Sequence, residues 1–231
     1  TGVDPIVDFG NGIINVSAGA LQVGGTADSE GDPSNPTSLH DVFFRIGGAT
    51  LGKATTSLVV NSSEVLLDHI WAWRADHGTG VGWTSNTADT GIIVNGDNVT
   101  AYGLFVEHYQ KYELIWNGEN GRTIFFQNEM PYDVPSQAAW MNKGVNGFAA
   151  YKVNNSVQNH EAWGMGSYCF FNVGPDIHAA HAFEVPVTAG VKLHDILTVF
   201  LNANGGIDHV VNNTGAPVNA TNQVTNIVNF P

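Results

Sequence analysis

The chain has little charge, fewer cations still, and a single cysteine. Only 13% of its 231 residues are Asp, Glu, Lys or Arg, where about a quarter is usual. Eight Lys and Arg stand against 21 Asp and Glu, a formal charge of −13. That sign repels a phosphate backbone and an anionic membrane surface, so neither nucleic acid nor membrane is expected as a partner. Cys169 is alone, which excludes an intrachain disulfide and a thiolate zinc cluster. Its setting, SYCFFNV, reads as a small buried hydrophobe. No apolar run reaches the length of a membrane-spanning helix. The sequence has no Gly-x-Ser-x-Gly nucleophile elbow and no phosphate-binding Gly-x-x-x-x-Gly-Lys loop, so a serine triad and nucleotide chemistry have no support.

What the chain has instead is Asn and Gly: 24 and 27 residues, together 51 of 231. Both are poor helix formers, and this composition points to an all-β protein. Six Asn-x-Ser/Thr sequons, at Asn15, Asn61, Asn98, Asn154, Asn212 and Asn219, fit a secreted, extracellular chain, although so much Asn supplies about three by chance. No linker is visible, and residues 1–231 read as one domain. Residues 1–23 read as an opening strand or cap, 24–36 as a polar loop and 202–231 as the final coils. A chain that begins at Thr1 is a mature form or a piece of something longer.

A repeat runs through the middle. LVVNSSEV (58–65), IIVNGDNV (92–99), LIWNGENG (114–121) and YKVNNSVQ (151–158) share a β-branched or apolar run, an Asn turn and a second run. Asn95 and Asn117 are 22 residues apart, while the steps from Asn61 to Asn95 and from Asn117 to Asn154 are 34 and 37. The longer steps contain insertions over 76–90 and 130–147. A coil of about 22 residues, wound repeatedly, stacks its strands in parallel about 4.8 Å apart. The expected fold is a right-handed parallel β-helix, with αL-tolerant Asn and Gly at the corners, Asn ladders and long loops on one face. A β-sandwich also has short strands and Asn/Gly turns, but it gives no reason for the turns to recur in register.

The register brings two acids together. Glu107 and Glu129 each lie twelve residues after an Asn turn, Asn95 and Asn117, so they occupy the same place in consecutive coils. Two carboxylates that close do not ionise together easily, and one should hold its proton near neutral pH. An acid beside a carboxylate is the equipment for glycosidic bond cleavage. Gln127 shares the face of Glu129 by strand alternation and would orient water or a sugar hydroxyl. Trp71, Trp73, Trp83, Trp116, Trp140, Tyr109, Tyr112 and Tyr132 surround the pair in sequence; aromatic faces take the apolar faces of sugar rings. Six Trp are also more than a narrow β-helix core is expected to hold. Seven of the nine His adjoin an acid, as in Asp68-His69, Asp76-His77 and His194-Asp195. Strand neighbours point to opposite faces, so these pairs read as a repeated polar corner, and no metal or other cofactor is expected.

The residues that carry these features resemble a known family. HIWAWRADH (69–77), AYGLFVEHYQKY (101–112) and FFQNEMPY (125–132) are similar to the C-terminal half of family 55 glycoside hydrolases, exo-acting β-1,3-glucanases or laminarinases. The shared pieces are Trp71, Trp73, Ala75, Asp76 and His77; Tyr102, Gly103, Glu107 and His108; and Gln127, Glu129, Pro131 and Tyr132. The resemblance implies a β-helix, release of sugar from chain ends and inversion at the anomeric carbon. It makes Glu129 the general acid and gives Glu107 a part in holding the attacking water. Gln127, Tyr132, Trp73, Trp83, Asp76 and His108 are expected around the substrate, a β-glucan. Side chains one coil apart start at about 5 Å, nearer the spacing of retaining enzymes. The family has two β-helix domains with the active site between them, and this chain has room for one, so a second domain or chain is an expected partner. The rival reading is a β-helix that binds polysaccharide without cleaving it, or half of a two-domain enzyme. A lyase reading is weak in a chain with three Arg and five Lys, because such enzymes handle acidic sugars with cations.

Overall fold

The structure, a computed structural model, describes residues 21–23 and 31–231. Most of the expected opening cap, most of the polar loop and the sequon at Asn15 lie outside the described residues. The architecture is all-β, with one 3-10 turn at Gln137–Ala139 among the described residues.

Two large sheets share the strands between them. One takes, in spatial order, Leu21–Val23, Ala54–Val60, Ala88–Val94, Leu114–Trp116, Tyr151–Val153 and Phe183–Glu184. The other takes Thr37–His40 and Phe43–Ile46 side by side with Val65–Arg74, then Thr100–Glu107, Gly121–Glu129, Asn159–Cys169 and Gly190–Phe200. From Ala54 to Phe200, successive long-range strands alternate between the two sheets and each pairs in parallel with its counterpart one circuit away. That is the path of a parallel β-helix. Ile92 pairs with Leu114, a circuit of 22 residues, but Leu58 pairs with Ile92, Leu114 with Tyr151 and Tyr151 with Phe183. The 22-residue coil is therefore the minimum and occurs once, and the other circuits carry insertions.

A bend divides the second sheet. Asp41, His69, Gly103, Phe125, Gly164 and Asp195 fall at one level of successive coils, and all have φ between 52° and 68°. Each interrupts the ladder: Asp68 pairs with Tyr102, and pairing resumes at Ile70 with Leu104. A left-handed residue in every strand turns the chain through a corner that runs the length of the stack. The expected polar corner sits here, with His40 Nδ1 at 3.1 Å from Asp68. Its geometry corrects one expectation, because His69 does meet its own neighbour, at 3.4 Å from Asp68. The positive φ of His69 breaks the strand alternation that would have separated them.

The Asn repeat is a hydrogen-bonded ladder. Asn95 Nδ2 donates to Asn61 Oδ1 at 2.7 Å, Asn117 to Asn95 at 2.7 Å, and Asn154 to Asn117 at 3.0 Å. These Asn are not the left-handed residues. Glu64, Asn98 and Asn120, three positions on, have φ of 55° and make a second ladder. Nor is conformational freedom the reason for the following glycines. A Cβ on Gly118 would lie 1.8 Å from the Gly96 carbonyl oxygen, and one on Gly96 would lie 1.8 Å from that of Ser62. Close stacking of turns requires them. The ladders also engage the sequons: the Nδ2 atoms of Asn98, Asn154 and Asn212 donate to Glu64, Asn117 and the Val185 carbonyl. Asn61 is 8% exposed.

The core is wider than expected. Trp116, Trp140, Tyr109 and Tyr151 are fully buried within it, so two of the six Trp are core residues and are not available to bind sugar. Insertions such as 130–147 supply the extra volume; Trp140 comes from one and donates its indole N–H to the Gln110 carbonyl. Cys169 is buried as expected, with burial pushing its thiol up to about 12. The C-terminal expectation holds only in part. His178–Ala179 pairs in parallel with Gly206–Ile207, but Val224–Phe230 runs antiparallel to Gly190–Phe200. The reversed strand covers the edge that Gly190–Phe200 would otherwise leave open.

Candidate active site

Glu107 ends the strand Thr100–Glu107, level with Trp73 in the coil before. The His108 N–H donates to the Glu129 carbonyl at 2.8 Å, which places Glu129 in the next coil beside it. The two acids are thus brought onto neighbouring coils as the spacing predicts. Glu107 Oε2 accepts the indole N–H of Trp71 at 2.8 Å. Trp71 in turn stacks on Trp73, with ring centroids 5.3 Å apart. The Glu107 carboxyl is pushed up to about 7. Burial is the largest cause; the Trp71 bond opposes it, and the charges of Glu129 and Asp76 add to it. Sequence reasoning attributes the shift to the paired carboxylate, but removal from water contributes more.

Glu129 is tied to two expected partners, and a third, Asp76, reaches it through His108. The Tyr132 hydroxyl donates to its Oε2. His108 Nε2 lies 3.5 Å from the same oxygen and 3.8 Å from Asp76 Oδ1. His108 Nδ1 is 3.2 Å from the Met130 carbonyl, a contact that requires the proton on Nδ1. Burial depresses the His108 pKa against the pull of Asp76 and Glu129. In the neutral ring, Nε2 then turns a lone pair toward the two acids. Asp76, His108, Glu129 and Tyr132 form one contiguous cluster, with Glu107 on the neighbouring coil.

The remaining predicted residues divide. Trp73 is beside the pair but only 9% exposed, its ring lying between Trp71, His77 and the Arg45 guanidinium. Gln127 is on the expected face, level with Phe105, and its Oε1 is buried with no partner. Trp83 packs on the core under the Arg74 guanidinium, 5.8 Å from its ring. Arg74 is a residue that sequence reasoning missed. Buried in full, it makes a bidentate pair with Asp133 at 2.7 and 2.8 Å and donates to the carbonyls of Asn86, His108 and Gly82. It fixes both insertions behind the site. Trp71 could have been found, since the Trp-x-Trp spacing puts both rings on one face.

A cleft of about 510 Å³ opens onto Glu107, lined by Phe43, His69, Trp71 and Phe105. It is mostly apolar, the surface that a sugar ring can cover. A cleft of the same volume lies beyond the corner over Arg122, Glu161 and Lys192. That one is lined by no Trp, Tyr or Phe and reaches neither Glu107 nor Glu129, whereas the first reaches Glu107.

Comparison with known proteins identifies the family of the chain. The sequence model of the LAM55 pectate lyase-like domain matches residues 9–129, a span that ends on Glu129. The chain belongs to the LAM55 pectate lyase-like family. It is 56% identical over 212 residues to an exo-beta-1,3-glucanase of Streptomyces sp. (strain SirexAA-E / ActE), covering 91% of this chain and 35% of that protein. The structure of sacteLam55A from Streptomyces sp. SirexAA-E superposes with a TM-score of 0.90 at 56% identity, over 92% of this chain and 39% of that one. A glutamate-to-alanine variant of sacteLam55A in complex with glucose matches equally. This LAM55 chain therefore spans little more than a third of the length of the relative it matches.

Proposed function

We propose that this LAM55 chain is the part of an extracellular β-1,3-glucan hydrolase that carries its acid and its water-positioning carboxylate. The coil is read as right-handed, the hand that crossovers between parallel strands overwhelmingly take, with a second β-helix domain or chain completing the pocket. The observation that carries the reading is the Glu107–Glu129 pair on adjacent coils, beside an aromatic-lined cleft and bonded to Trp71 and Tyr132. Glu129 protonates the leaving oxygen and Glu107 holds the attacking water, with Gln127, Asp76, His108 and Tyr132 orienting the sugar and the proton. The extracellular assignment rests less on the sequons than composition implied, because three of their Asn side chains already donate within the fold.

One observation favours the opposite division of labour. Glu107 is held near pH 7, while Glu129 accepts the Tyr132 hydroxyl, a bond that suits an ionised carboxylate. Glu107 would then be the acid. Hydrolysis of an aryl β-glucoside with a good leaving group separates the two readings, because such a bond breaks without protonation. Glu129→Gln is expected to lose laminarin hydrolysis and keep aryl-glucoside hydrolysis, and Glu107→Gln to lose both. The reverse pattern assigns the acid to Glu107. Equal loss of both substrates in both variants removes the distinction of roles altogether.

A further inference from the structure

Beneath the carboxylate pair lies a third acid. Glu113 ends the loop 108–113, which carries His108 from the Glu107 strand into Leu114–Trp116. It is 1% exposed. Its Oε2 accepts the Tyr109 N–H at 3.1 Å, closing the loop on itself directly after His108. Its Oε1 is buried with no partner. Among the described residues no cation is ion-paired with it. Arg74, on the neighbouring strand, spends its donors on Asp133, Asn86, His108 and Gly82. The loop has no slack here: a Cβ on Gly91 would lie 2.6 Å from the Glu113 carbonyl oxygen, 2.3 Å from Val106 and 3.0 Å from the Tyr109 ring.

We propose that Glu113 is held as the uncharged acid and is a positioning residue for the Glu107–Glu129 pair, fixing through the Tyr109 N–H the loop that sets His108 between Glu129 and Asp76. A carboxylate with one N–H donor, one unpartnered oxygen and no paired cation costs far more to bury than the neutral acid does. The groups that face it agree: burial and Glu107 push its pKa well above the ordinary range, against the Tyr109 N–H, Arg74 and Asn128. Neutrality also matters to its neighbour. An ionised Glu113 would add a like charge to Glu107 and drive that proton affinity higher still.

The inference rests on the hydrolase reading only for its effect on rate, so its test begins without substrate. Carboxyl carbon-13 spectra of the chain, recorded with Glu107→Gln and Glu113→Gln to assign the signals, should show Glu113 as the protonated acid from pH 4 to 8. A Glu113 signal that is ionised at pH 6 overturns the proposal whether or not the chain cleaves glucan. Glu113→Gln keeps an acceptor for Tyr109 and no charge, so the Glu107 midpoint should stay in place. Glu113→Ala removes the acceptor, and the midpoint should move. On laminarin, kcat should fall about tenfold in the Ala variant with KM little changed, and recover in the Gln variant. An Ala variant with the wild-type midpoint, or a folded Gln variant as impaired as Ala, refutes the positioning role. A wild-type chain that releases no sugar counts against the hydrolase and leaves the spectroscopic test intact.

Discussion

Trp71→Phe isolates the one hydrogen bond that opposes the raised pKa of Glu107. Phe retains an aromatic face against Trp73, which stacks at 5.3 Å, and against Phe43 at 6.1 Å. It removes the N–H that Glu107 Oε2 accepts at 2.8 Å. A hydrogen bond to a charged group contributes about 1.5–3 kcal/mol. Trp71 is 38% exposed, so solvent replaces part of the loss and the lower end applies, about 1.4 kcal/mol or one pK unit. The donor favours the ionised form, and its removal raises the pKa. Glu107 should therefore titrate roughly one unit above its present value of about 7, and the pH–rate limb that reports it should move to higher pH by the same amount. Both the carboxyl carbon-13 shift and the pH dependence of kcat/KM measure this. An unchanged or lowered midpoint in a folded variant would show that Trp71 does not stabilise the ionised carboxylate.

Three further outcomes follow from buried groups. His160 is buried, accepts or donates one bond to Tyr151 at 2.8 Å, and is pushed down to about 3 by burial. The unfolded chain takes up this proton first as pH falls, so His160 alone removes about 1.4 kcal/mol of stability per unit below about pH 6.5, while Glu107, protonated first in the folded chain, acts in the opposite sense; paired denaturant titrations from pH 7 to 4 should therefore show His160→Gln gaining on the wild-type chain as pH falls, and a constant difference would contradict the burial of a neutral His160. Arg74→Met should cost about 3 kcal/mol, since Asp133 loses its bidentate partner and breaking a buried pair is expensive; a loss below about 1 kcal/mol in urea would mean the pair does not anchor the insertions. Gly118→Ala places a Cβ 1.8 Å from the Gly96 oxygen and should lower stability by about 2 kcal/mol or more, seen as a lower melting temperature, whereas Gly144→Ala, with open space around it, tests only the cost of positive φ.

The repeat was legible because an Asn ladder needs the same residue at the same place in each coil, and nothing else in the composition demands that periodicity. The Glu107–Glu129 pairing followed from the same register, since the one 22-residue circuit lies between them. The corners were not legible. Six residues of four types, from Asp41 to Asp195, share a left-handed backbone, and Phe125 or His69 gives no local sign of it. Core and site aromatics were also indistinguishable by sequence. Trp116 and Trp71 both lie in apolar runs, and only the widening of the core by insertions separates a buried ring from one that faces the cleft. Arg74 and Glu113 escaped notice for a related reason: each is an ionisable side chain whose partners include backbone groups, which no residue type in the sequence marks.

The central claim is that the paired carboxylates cleave β-1,3-glucan. Chromatography of the products from laminarin, incubated with the folded chain and with Glu129→Gln and Glu107→Gln, tests it most directly. The account predicts glucose or short glucans from the wild-type chain and near-complete loss in both variants, with circular dichroism unchanged. A variant that releases sugar at the wild-type rate, or a folded wild-type chain that releases none when its second β-helix domain or chain is present, contradicts it.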